Sequence, residues 1–144
     1  MTGQLNKAVK NITDAGFKDR LTPNPANVLD EETVLPKGTN VIWMSQFLDC
    51  FSHDQIVAIL KKAKDAMEEN TKLYILETFW DRQEYEAAAF SLHNISLYFT
   101  CLANGNRKMY HSDEMKECIA ESGLKVSSQQ DSLGIGHTLI TCTL

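Results

Sequence analysis

The sequence lacks any apolar run near the ~20 residues that a helix needs to span a bilayer. Its opening, MTGQLNKAVK, has no apolar stretch of the secretory kind, so no leader is expected. Metal-binding patterns are missing as well. Cys50, Cys101, Cys118 and Cys142 stand far apart, and His53, His93, His111 and His137 are equally scattered. Neither a C-x-x-C pair nor an H-E-x-x-H helix occurs, which argues against a structural zinc and a dithiol redox centre. The thiols are expected to be reduced and mostly buried, and a cytoplasmic location is the default. Positive charge is scarce: 14 Lys and Arg against 19 Asp and Glu give a net charge of −5. That leaves no basic footprint for nucleic acid or an anionic membrane. Glycine-rich nucleotide loops are absent too. The one local G-x-G, Gly134-Ile135-Gly136, falls between two expected strands rather than at a strand-to-helix turn.

What is present is ordinary globular material: 144 residues, 43% hydrophobic and 23% charged. This suits one compact domain over residues 1–144. Leu5, Ala8, Val9 and Ile12 recur at helical spacing, so residues 4–15 read as a helix stopped by Gly16. A brief strand is expected at 17–21, ended by Pro23 and Pro25. Residues 27–38 read as a loop with an acidic cluster, Asp30-Glu31-Glu32, closed by Pro36-Lys37-Gly38. The continuous apolar run at 41–44 has the pattern of a strand covered on both faces. Ser52 with Gln55 three residues later signals a helix start, and Ile56, Ile59, Leu60, Ala63 and Met67 share its inner face.

A second buried strand is expected at 72–76, ending at Glu77. A long aromatic-rich helix follows from 84 to about 103, broken by Asn104-Gly105. Ser112 is the expected cap of the next helix, with Asp113 and Glu114 favourably placed for its dipole and Gly123 as its stop. Two closing strands at 124–128 and 137–142 are near enough in sequence for an antiparallel hairpin. Strands alternating with helices argue for an α/β parallel sheet with helices on its faces.

In a sheet of this type ligands sit beyond the carboxyl ends of the strands. The stretch NVIWMSQFLDCFSHDQ, residues 40–55, puts Asp49 at such an exit, where it would project into the crevice. The competing reading makes Asp49 a helix cap or a partner for a nearby base. Geometry alone leaves both open.

Four segments carry a resemblance: AGFKDRL, VLDEETVLPKG, VIWMSQFLDCFSHDQIVAIL and YHSDEMKECIAESGL. Together they resemble the C-terminal part of the catalytic domain in S-adenosylmethionine-dependent O-methyltransferases of the plant-phenolic and bacterial-polyketide type. The third is similar to the family's fourth-strand block, and the fourth to the helix before its final hairpin. The resemblance implies an α/β class I methyltransferase (Rossmann-like) sheet with a C-terminal antiparallel hairpin, lacking the first two strands. It implies S-adenosylmethionine as cofactor, a small-molecule hydroxyl as methyl acceptor and no membrane partner.

Asp49 aligns with the family's catalytic histidine. A carboxylate, with a reference pKa of ~4 against ~6.5 for histidine and ~10 for a phenol, is a mismatched base for a phenolic proton. The Gly-rich turn and the ribose-holding acid of the family would lie before Met1. Methyl transfer by this chain alone is therefore expected to be impaired, and a non-catalytic fragment or interaction module is the alternative.

By the same resemblance, Leu29 and Asp30 fall on the adenine side. Ser45 and Gln46 fall on the methionine side of the cofactor, although the lysine often found at the Ser45 position is missing. Trp80 and Tyr98, with Phe79, Phe90 and Phe99, are candidates to wall a substrate pocket, against a plain core role. Glu77 reaches the substrate side or pairs with Arg82 or Lys108. His53, expected in solvent, and His137 carry no strong functional claim. The strand at 41–44 would have an open apolar edge, which points to a homo-oligomer.

Overall fold

The computed structural model describes residues 2–102 and 108–144. The expected break at Asn104-Gly105 lies outside them. The chain forms two compact units, residues 1–33 and 34–144.

In the first unit, α1 (Thr2–Asp14) forms as its spacing predicts, and Gly16 closes it at φ +82°, a conformation that glycine adopts without a Cβ penalty. The strand expected at 17–21 does not form. Lys18–Arg20 is a 3₁₀ turn, closed by Arg20 N–H to Phe17 O (3.0 Å) and Leu21 N–H to Lys18 O (3.2 Å). A strand is stabilised only by a ladder with a neighbour, and this segment closes on itself instead. The loop beyond it is stitched locally. Asn27 Oδ1 accepts from Leu29 N–H, Asp30 Oδ1 accepts from Glu32 N–H, and the Thr33 hydroxyl donates to Asn27 O.

The second unit is a four-stranded sheet in the order β1-β2-β4-β3. Its strands are β1 (Val41–Ser45), β2 (Lys72–Glu77), β3 (Lys125–Leu133) and β4 (His137–Thr143). β1 and β2 run parallel. β4 lies antiparallel to both β2 and β3, so the closing hairpin inserts its last strand next to β2. β3 runs five residues past its expected end at 128, with irregularities after Val126 and Gln130.

Side chains alternate across a pleated sheet, so paired residues share a face. Leu73 with Cys142, Ile75 with Ile140 and Glu77 with Thr138 form the covered face, and all six are buried. α2 (His53–Ala66) and α4 (Ser112–Glu121) bury Ile56, Ile59, Leu60, Ala63, Met115, Cys118 and Ile119. The opposite face of β1 is open: Val41 is 50% and Trp43 56% exposed. The expectation that β1 is covered on both faces is therefore corrected. Among the described residues β1 has one strand neighbour, and only Met44 of its apolar residues is buried.

Two further readings change. The α2 start holds, with Ser52 N–H donating to Gln55 Oε1 at 3.0 Å. At α4 the cap is His111, whose Nδ1 accepts from Asp113 N–H at 3.1 Å, while Glu114 reaches back to the His111 N–H. Ser112 is the first helical residue, because Asp81 takes both its amide (2.7 Å) and its hydroxyl (2.6 Å). α3 (Glu86–Leu102) has no buried residue, so its aromatic stripe is not core. No helix of the described residues is long and apolar enough to cross a membrane.

Candidate functional site

The parallel register pairs Ser45 with Leu76, which brings the carboxyl ends of β1 and β2 side by side. Gln46 N–H still bonds Leu76 O at 2.9 Å, and then the chain turns out of the ladder at Gln46, at φ +48°. A non-glycine residue in the left-handed region costs of order 1 kcal/mol and is held there by its surroundings. Gln46 Nε2 donates to the Thr78 hydroxyl at 3.3 Å, and Ser45 and Gln46 are both exposed.

The next turn is fastened from beneath. Glu77, the last residue of β2 and 2% exposed, accepts through Oε1 from the Phe47 and Leu48 amides, each at 2.8 Å. Neither Arg82 nor Lys108 is its partner in these bonds. Arg82 pairs with Asp81 (3.0 Å) and donates to the Ser112 hydroxyl (2.9 Å), and Lys108 pairs with Glu114 (2.8 Å). A buried carboxylate on two amides is a strong, charge-assisted anchor.

That anchor sets the 3₁₀ turn Leu48–Cys50, and Asp49 is on it. Asp49 is 4% exposed, closed over rather than open in the crevice. Its carboxylate accepts from the Cys50 thiol at 3.4 Å, and its carbonyl accepts from Lys108 N–H at 3.1 Å. The strand-to-helix link after it is braced by Tyr110, whose hydroxyl donates to Phe51 O at 2.6 Å. Burial, helped by Cys118, Glu114 and Asp49, pushes the Tyr110 phenol up to about 12, so it stays a donor.

Trp80 starts a second 3₁₀ turn, Trp80–Arg82, beyond β2. Its ring lies between His93 of α3 (centroids 4.5 Å) and His111 (4.8 Å). Tyr98 packs edge-on to Phe99 at 5.4 Å and is exposed. Tyr98 lies five residues beyond His93, roughly 140° around the helix. The structure therefore places Trp80 and Tyr98 on different faces of α3. Leu29 and Asp30 belong to the first unit, with Leu29 exposed and Asp30 Oδ1 engaged in its own turn. A cavity of about 270 Å³ sits at the β3–β4 turn, lined by Gln83, Tyr85 and Ile135 among others. It contains none of the expected site residues and lies at a loop tip.

Two clusters escape the sequence patterns. Asp81, Ser112, Arg82 and His111 form one node. Burial pushes the Asp81 carboxyl up, but the Ser112 hydroxyl and amide and nearby His111 outweigh it and hold it below the usual range. The other is Cys118 Sγ to His53 Nδ1 (3.3 Å) and His53 Nε2 to Glu121 (3.2 Å). Thiol, imidazole and carboxylate in that order have the layout of an activated nucleophile. Burial, aided by Glu121, instead pushes the Cys118 thiol up to about 11, and its side chain is fully enclosed, so it is inert. The partners are 65 and 68 residues apart, beyond the reach of any local signal. Of the thiols, Cys118 and Cys142 are buried and Cys101 is exposed.

The sequence matches no family model and no curated relative. The fold does match solved structures. The mitomycin 7-O-methyltransferase MmcR superimposes with a TM-score of 0.80 at 21% identity, over 96% of this chain and 38% of that one. The O-methyltransferase NcsB1 of neocarzinostatin biosynthesis, solved with S-adenosylmethionine and 2-hydroxy-5-methyl naphthoic acid, gives 0.76 at 19% identity, over 96% and 38%. An O-methyltransferase family 2 protein from Planctomyces limnophilus, solved with apigenin, gives 0.78 at 21% identity, over 97% and 40%. The chain thus spans about two-fifths of the length of each. Over that span, it has the fold of the S-adenosylmethionine-dependent O-methyltransferases.

Proposed function

We propose that this chain carries the acceptor side of an O-methyltransferase, whose reaction is methyl transfer from S-adenosylmethionine to a hydroxyl of a small aromatic molecule. The observation that supports it most is the Glu77 clamp on the Phe47 and Leu48 amides. It fixes the Asp49 turn at the adjoining ends of two parallel strands, the place where such sheets do chemistry.

The residues present fit part of the cofactor. Ser45 and Gln46 offer exposed polar groups at the β1 exit. Among the described residues no buried side-chain nitrogen or oxygen lacks a partner, so no orphaned group waits for a ligand. Among the described residues no Gly-rich strand-to-helix turn occurs. S-adenosylmethionine, when bound, supplies a sulfonium methyl open to in-line attack by the hydroxyl oxygen. In this reading Asp49, enclosed on its turn, acts as a positioning residue for the acceptor wall, and the proton of the attacking hydroxyl passes to solvent. The incoming ring lies against Trp80. The site works in the cytoplasm, and the chain alone does not turn over.

A second reading is a non-catalytic scaffold of the same fold, favoured by the enclosure of Asp49. Acceptor binding separates the two. Trp43 and Trp80 are the only tryptophans, so Trp43→Phe leaves Trp80 as the sole indole emitter. Titration with apigenin or 1,4-dihydroxy-2-naphthoic acid should quench it saturably in the micromolar range, on the order of −8 kcal/mol. Tyr98→Ala should leave the curve unchanged. A flat titration with both acceptors contradicts the acceptor-side assignment.

A further inference from the structure

Helix caps are normally Ser, Thr, Asp or Asn, whose oxygens remain acceptors near neutral pH. α4 uses His111 instead. Its Nδ1 accepts from Asp113 N–H at 3.1 Å, so the ring proton must sit on Nε2. Nε2 lies 3.7 Å from Asp81 Oδ2, and Nδ1 lies 3.7 Å from Asp113 Oδ2. The same ring packs edge-on against the Trp80 indole at 4.8 Å, and His93 of α3 meets that indole at 4.5 Å. The surrounding charges are matched without it. Asp81 pairs with Arg82 (3.0 Å), Glu114 with Lys108 (2.8 Å) and Asp113 with Lys116 (3.2 Å).

An imidazolium has two N–H donors and no lone pair. It cannot accept from the Asp113 amide, and its charge at a helix N-terminus is opposed by the dipole. The carboxylates of Asp81 and Asp113 are what its two N–H groups can reach instead. We propose that His111 is a pH-sensitive cap: on protonation its ring leaves the Asp113 amide for these two carboxylates, and its contact with Trp80 changes with it. The proton comes from solvent, to which the His111 side chain is 32% exposed. In the acceptor-side reading Trp80 is the wall against which the ring lies, so acid resets that wall. This consequence rests on that reading. The cap switch does not, and its test uses no acceptor, so the two fail separately.

Proton and nitrogen-15 NMR of the full chain from about pH 8 to about pH 5 tests the switch, because histidine changes charge in that range. At the alkaline end His111 should show the Nε2–H tautomer. The Asp113 amide shift should then move with the same midpoint as the His111 ring nitrogens, and its protection from hydrogen exchange should fall. In Trp43→Phe, where Trp80 is the only indole, emission should change across the same range. His111→Asn, a cap that does not titrate, should abolish the part of that change at the His111 midpoint. His93→Gln should leave that part in place. An Nδ1–H tautomer at the alkaline end overturns the proposal, and so does an Asp113 amide that stays fixed while His111 titrates. A ring that stays neutral down to about pH 5, or Trp80 emission that His111→Asn leaves unchanged, overturns it as well.

Discussion

α2 and α3 are two helices of one unit with opposite fates. α2 carries a charged outer face and buries Ile56, Val57, Ile59, Leu60, Ala63 and Ala66. α3 is far more apolar by sequence, EAAAFSLHNISLYFTCL, and buries nothing, leaving Phe90, Ile95, Leu97, Tyr98 and Leu102 exposed. A helix is buried by what packs on it, not by its own hydropathy. α2 has the sheet's covered face and α4 to close against. α3 touches the unit through the Trp80 turn, where His93 meets the indole, and through Ser96, whose hydroxyl accepts from Met109 N–H at 2.9 Å.

The contrast breaks most sharply at matched leucines. Leu60→Ala on α2, where the side chain is fully enclosed, should cost about 2–5 kcal/mol in urea unfolding. Leu97→Ala on α3, where the side chain is 61% exposed, should stay within ~0.5 kcal/mol. Equal losses would mean that α3 is covered in solution.

A smaller effect is expected where the buried half meets the Asp49 turn. Glu77→Ala strands two amides in a dry site and should cost ~2–4 kcal/mol, by the penalty for unmet buried groups. Aromatic circular dichroism should change with it, because the Phe47–Phe51 edge contact (5.0 Å) rides on the same turn. Unchanged stability would remove Glu77 as the anchor of Asp49.

How much of this was legible in the sequence depends on how local each signal was. The α2 start was readable because Ser52 and Gln55 are three residues apart. The stops at Gly16 and Gly123 were readable because each needs only a positive φ at one residue. Ser112 misled as a cap because its hydroxyl is claimed by Asp81, 31 residues earlier. Residues 41–44 misled because a continuous apolar run reports strand but not how many faces are covered, which depends on neighbours elsewhere in the chain. For Asp49 the sequence reported place along the chain and not depth. Asp49 is at the strand exit as read, but its enclosure comes from tertiary partners such as Lys108.

The smallest expected effect concerns pH. The Asp81 carboxyl is held below the usual range in the fold, so its stabilisation is fully present above the unfolded value of ~3.9 and is lost as pH falls through the folded value. Asp81→Asn keeps an acceptor for Ser112 but loses the charge, and should cost ~1 kcal/mol at pH 7. The gap to wild type should close as pH falls through the folded value, when both side chains are neutral. A gap that stays constant from pH 7 until the acid unfolding transition would show that shape, not charge, holds the node.

The central claim is the proposal that this chain, which has the O-methyltransferase fold over its span, holds the acceptor side of the site and little of the cofactor grip. Calorimetric titration of the chain with S-adenosylmethionine tests it most directly. Hydrogen bonds to charged groups are worth ~1.5–3 kcal/mol each, so losing several costs powers of ten in affinity. The expected dissociation constant is no tighter than about 1 mM. A dissociation constant in the micromolar range would contradict it, because the grip would then have to come from residues this account leaves out of the site.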